Sequence, residues 1–246
     1  MRRLPFIQSG AVTLILSLAV TLGIVLPAKA ELTGAQILTR CRQAYDSLKS
    51  YSGTTQVVTK SSMGGMNTTY NTKATVQFVR PGKIRVEGTL MTEGRFAFVS
   101  DGKTTWQTSI LSSEKWDVAP STEMAIGAFT GVSMNAATII PAILIHANWG
   151  NYLAGLQPSQ VTHEKVNGQD AFKVKTKGML GDVTLWIDAK TFLLVKLRQI
   201  IGMNMGGTTT PKGQSGKGGM DSVQTFTQIR VNPAIPASVF ARPPKA

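Results

Sequence analysis

ATVQFVRPGKIRVEGTLMTEGRFAFVSDGKTTWQT, residues 74–108, is the stretch on which the fold turns. In 74–79, Ala74, Val76 and Phe78 take one parity and Thr75 and Gln77 the other, the period of a strand with one buried and one wet face. Arg80-Pro81-Gly82 turns the chain, and 83–88 repeats the alternation with Ile84 and Val86 inward. Thr92-Glu93-Gly94 makes the next connection, and Phe96 and Phe98 share one face of the strand after it. Asp101-Gly102 is a hairpin signal, and 104–108, with Trp106, is the returning strand. Short strands joined by tight turns predict an antiparallel meander.

The same alternation continues downstream at 161–166, 171–176, 183–187 and 223–231, with Asn167-Gly168 as a second hairpin signal. In GDVTLWIDAKTFLLVKLR (181–198) a carboxylate and an amine stand two residues apart inside an apolar run, which raises the question of an acid–base pair. Val183, Leu185 and Ile187 alternate on one strand, and Leu193, Val195 and Leu197 on the next. Asp188-Ala189-Lys190-Thr191 then falls at the change of direction, a solvated hairpin tip worth little as an ion pair. Two Gly-rich segments, 61–69 and 202–220, read as flexible hairpin loops.

Two segments carry a helical period. In 32–48, Ile37, Cys41, Tyr45 and Leu48 line one face, and 50–53 breaks that pattern. Residues 134–147 (MNAATIIPAILIHA) hold no charge, and Ile139, Ile140, Ile143 and Leu144 occupy adjacent helical positions. Pro141 kinks this helix or marks its first turn. A helix apolar nearly all round is buried on most sides or covers something greasy.

Arg2 and Arg3, the uncharged run 11–26 and Ala28-Lys29-Ala30 fit a cleaved secretory signal over 1–30. The apolar run falls short of the roughly 20 residues that span a bilayer. Residues 31–246 are expected to form a single domain. The chain carries a net charge of +13, part of it lost with the signal. In an exported chain this excess suits anionic lipid surfaces, acidic partners or plain solubility, and no nucleic acid is expected. Cys41 is the only cysteine, so stability rests on packing rather than on an internal disulfide.

No nucleophile elbow, phosphate-binding loop, paired histidines or paired cysteines occur, so neither an enzyme nor a cofactor or metal is expected. His146 and His163 read as structural or surface residues, and Ser100-Asp101 belongs to the turn at Gly102. Met203 with Met205 and Met63 with Met66 offer soft thioethers on loops, which makes a periplasmic copper-binding protein a minor alternative.

FVRPGKIRVEG (78–88), FVSDGKTTW (98–106), LWIDAKTFLLVKL (185–197) and FARPP (240–244) together resemble the LolA-like superfamily, the periplasmic outer-membrane lipoprotein carriers and their relatives. The resemblance implies an α+β fold: a half-open, unclosed antiparallel β-barrel whose concave apolar face is covered by helices acting as a lid. It implies a monomeric periplasmic carrier that binds lipid or the acyl chains of lipoproteins and transports them across the envelope, with an inner- or outer-membrane protein as a further partner. Arg80 matches the family's arginine before proline, the latch that holds the lid shut. The cavity and lid would be lined by Val76, Phe78, Ile84, Val86, Phe96, Phe98, Trp106, Ile139, Ile140, Ile143 and Leu144. An envelope sensor or regulator using the same fold to bind a protein partner is the alternative, and 202–220 has no counterpart in the family.

Overall fold

The computed structural model describes residues 31–63, 65–92, 94–109, 115–148, 153, 155–178, 181–204 and 217–243, so the expected signal segment lies outside it. The alternating segments form two meanders. Strands β1 (Ser50–Met63), β2 (Met66–Val79), β3 (Lys83–Thr89), β4 (Arg95–Asp101), β5 (Thr105–Thr108) and β6 (Trp116–Ala119) pair antiparallel in chain order. Strands β7 (Gln157–Val166), β8 (Gln169–Gly178), β9 (Gly181–Asp188), β10 (Leu194–Asn204) and β11 (Lys217–Val231) do the same. β1 pairs with β11, from Tyr51 opposite Val231 to Ser62 opposite Gly219, and this seam joins the meanders into one eleven-stranded sheet.

β6 and β7 are the two edges of that sheet, which is therefore unclosed. The chain leaves at one edge and re-enters at the other, so the connection must run over one face. Helices α2 (Thr122–Thr130) and α3 (Ile139–Leu144) lie in it. Ala125, Ile126 and Phe129 of α2 are buried, and so is every residue of α3. Helix α1 (Gly34–Asp46) precedes β1 and packs beside β7 and α3. Its start is a capping box, in which Thr33 Oγ1 accepts from the Gln36 backbone N–H and Gln36 Oε1 from that of Thr33. Ile37, Cys41, Tyr45 and Leu48 are all buried, as their spacing predicts.

Several expectations change. The break expected at 50–53 is instead the start of β1, which stays extended because Gly53 leaves room for the Tyr51 ring; a Cβ there would lie 2.4 Å from the Tyr51 hydroxyl. Most of 61–69 is strand, with Met63 directly opposite Met66. The helix expected over 134–147 is confined to Ile139–Leu144, since Met134, Asn135 and His146 take positive φ and end the helical path on both sides. α2 carries no sequence signal strong enough to have been expected. In β10 a register shift between Leu194 and Lys196 breaks the alternation. Leu194 and Leu197 join the main core, whereas Val195 packs with Trp186, Ala171 and Val166 on the other face.

Candidate functional site

Cross-strand register places Val76, Val86 and Phe98 in one row across β2, β3 and β4, and Phe78 beside Ile84 in the next. Phe96 lies on the same side, and the row through Leu185 and Leu197 continues that face into the second meander. The helices close over it. The Phe129 ring stacks on Phe96 and Phe98, with centroids 4.8 and 6.3 Å away, and the Tyr45 hydroxyl accepts from the Leu194 backbone N–H at 3.3 Å. Val76, Phe78, Ile84, Val86, Phe96, Phe98, Ile139, Ile140, Ile143 and Leu144 are each at most 2% exposed and belong to one core cluster. In this state they are packed interior rather than the wall of an open cavity. Trp106 is a correction: it pairs with Val99, not with Phe98, so it stands half-buried on the opposite face.

Arg80 holds the rim of this face. It follows β2 directly, and its guanidinium reaches three partners. Nε donates to Leu48 O at 2.8 Å and Nη2 to Tyr45 O at 2.9 Å, the second of which also accepts from the Leu48 backbone N–H, so the guanidinium grips the C-terminal end of α1 and the residues just after it. Nη1 lies 3.1 Å from His146 Nε2. A guanidinium has only donors, so His146 Nε2 is the acceptor, and Nδ1 faces Asp46 Oδ1 at 3.6 Å. The Arg80 guanidinium also lies 5.3 Å from the centre of the Phe78 ring. One side chain thus ties the sheet to the end of α1 and to the residue that ends the α3 turn. His146 carries no motif, so only the fold reveals this role.

Away from Arg80 the covered face turns polar. Thr59 Oγ1 donates to Ser222 Oγ at 3.0 Å, and Thr72 Oγ1 to Ser133 O at 2.7 Å. Gln224, fully buried, projects between Val57 and Leu197. None of these stood out in the sequence, where a lone polar residue on the inner parity of a strand resembles a turn or surface position.

Asp188 is a second correction. It is only 8% exposed, and its Oδ1 accepts from the Lys190 and Thr191 backbone N–H groups at 3.1 and 2.7 Å and from the Thr191 hydroxyl at 2.8 Å. The carboxylate folds the turn between β9 and β10 through Oδ1 rather than standing free at its tip. Burial pushes the Cys41 thiol far above its ordinary range, so it is an inert core group. His163 is exposed, its ring 5.0 Å from that of Phe172. Among the described residues no cluster of three or more His, Cys, Asp or Glu is placed to hold a metal. Met63 and Met66 are exposed, and Met205 of the copper alternative lies outside the described residues.

The family described as "Predicted periplasmic protein (DUF2092)" matches residues 34–245, and the chain belongs to it; the protein is periplasmic. No curated protein matches the chain. Solved structures similar to it include a DUF1329 family protein from Desulfovibrio piger, at 11% identity over 85% of this chain and 95% of that one, with a TM-score of 0.37. A LolA superfamily protein from Nitrosomonas europaea is 12% identical over 86% of this chain and 99% of that one, with a TM-score of 0.31. The Pseudomonas aeruginosa MucA/MucB complex matches at 14% identity over 85% of this chain and 60% of that one, with a TM-score of 0.45. LolA superfamily proteins are thus among the structural neighbours.

Proposed function

We propose that this periplasmic protein is a non-catalytic carrier that takes up a lipid, or the acyl chains of a lipoprotein, against the helix-covered face and moves it through the envelope. The observation that supports this best is how the face is covered. An extended apolar surface on an unclosed sheet is shielded by α2 and α3, helices of nine and six residues inside a single edge-to-edge connection. Helices this short have little stability of their own and are held by what they touch. In the closed state protein side chains fill the interior, so loading requires this connection to move as a lid. Phe78, Val86 and Phe98 would then face the acyl chain from the sheet, and Ile139, Ile140, Ile143 and Leu144 from the lid.

The energetics suit transfer. Burying about 15 methylenes gains about 12 kcal/mol, and the same chain gains about as much in a membrane, so the carrier needs only to balance it. A latch made of a few polar contacts then decides between loading and release. Arg80 is that latch in our reading, because its three contacts join the sheet to both the α1 end and His146.

A second reading, an envelope sensor that binds a protein partner, draws on the exposed edge strand β6, where Val118 is 66% exposed. One experiment separates the two. Mature protein purified from cells is extracted with organic solvent, and the extract is examined by mass spectrometry. Acyl lipid in amounts comparable to the protein is expected. A lipid-free protein that retains a folded envelope partner would overturn the carrier reading and favour the sensor.

A further inference from the structure

Gln224 is 0% exposed, and among the described residues neither its Oε1 nor its Nε2 has a hydrogen-bond partner. Burying an amide unpaired is costly, whereas a leucine or methionine of similar size would sit between Val57 and Leu197 without that cost. Such a group calls for a partner, and a bound ligand can supply one.

The surroundings say what that use is. Along β11, Ser222 lies on one side of Gln224 and the buried Phe226 on the other. On the Ser222 side the covered face holds the Thr59–Ser222 hydroxyl pair and buried Gln199. On the Phe226 side it holds Tyr51, Phe78 and Ile84, all buried. The larger side chains are therefore graded, aromatic toward the Arg80 rim and amide- and hydroxyl-bearing away from it, with Thr55 opposite Phe226 and Val183 opposite Gln199 as smaller exceptions and the unpaired amide at the transition. A ligand matched to it is amphiphilic: a hydrocarbon chain toward Phe226 and Tyr51, and a polar end beginning at Gln224.

We infer that Gln224 recognises the carbonyl of an acyl ester or amide, Nε2–H donating to the carbonyl oxygen when the chain is bound. This rests on the carrier reading and deepens it: the protein selects acylated molecules over plain hydrocarbon and holds them in one orientation. Because the free amide is already desolvated in the closed state, much of the cost of its burial is met before the ligand arrives.

The test uses purified mature protein loaded with 1-N-phenylnaphthylamine, and compares displacement of that probe by methyl laurate and by tridecane. Wild type is expected to prefer the ester about ten-fold, the scale of one net hydrogen bond. Gln224→Leu and Gln224→Met are expected to bind both ligands alike and to melt no lower than wild type. An ester preference that survives in both variants overturns the inference while leaving the carrier reading intact. A large loss of melting temperature in both variants also overturns it, since the amide would then be a structural member of the fold. If neither ligand displaces the probe from wild type, the carrier reading fails and takes this inference with it.

Discussion

Arg80 and Asp188 show how little a residue's neighbours in sequence say about its work. Both stand at turns, and both serve through hydrogen bonds: Asp188 accepts from the backbone of its own turn, and Arg80 donates to carbonyls more than thirty positions away. Replacing Arg80 by Leu leaves the carbonyls of Tyr45 and Leu48 without that donor while keeping the apolar stem over Phe78. The expected outcome is a folded protein, destabilised by about 1–3 kcal/mol in denaturant unfolding, that exchanges bound lipid faster in a vesicle-transfer assay. Unchanged exchange would remove Arg80 from the mechanism. The arginine was legible in the sequence only through a family resemblance, and its partner His146 not at all, because a contact between residues 80 and 146 depends on the fold of everything between them.

At the scale of elements, strands were the most legible. Each of 74–79, 83–88, 171–176 and 183–187 announces one face by alternation, and each is part of a strand. The misses have physical reasons. In β1 polar threonines face inward, so the alternation that marks a half-buried strand is blurred. In β10 a bulge moves Val195 to the wrong face, a change of register no pattern encodes. α2 is short and nearly featureless in polarity, yet its Phe129 closes the Phe96–Phe98 surface. Phe129→Ala removes that stack and should cost about 3–5 kcal/mol in chemical unfolding, the range for a fully buried aromatic. A loss well below 1 kcal/mol would mean that α2 is loosely seated on the sheet.

For the molecule as a whole, the sheet depends on one non-local seam. β1 and β11, the first and last strands in the chain, pair along nearly their full length, and without β11 both β1 and β10 lose a partner. A chain ending at residue 204 is therefore expected to show no cooperative thermal transition, although it keeps ten of the eleven strands; a sharp melt close to that of the full chain would refute this. The centres of β2 to β5 were readable from the sequence, but β6 and the seam were not, since strand order cannot be deduced from alternation alone. The seam also has a meaning in time. Until β11 is in place, the N-terminal meander carries an unpaired backbone edge along β1. The chain is thus most vulnerable while its last strand is missing, and its folding yield should follow the supply of chaperones that shield that edge.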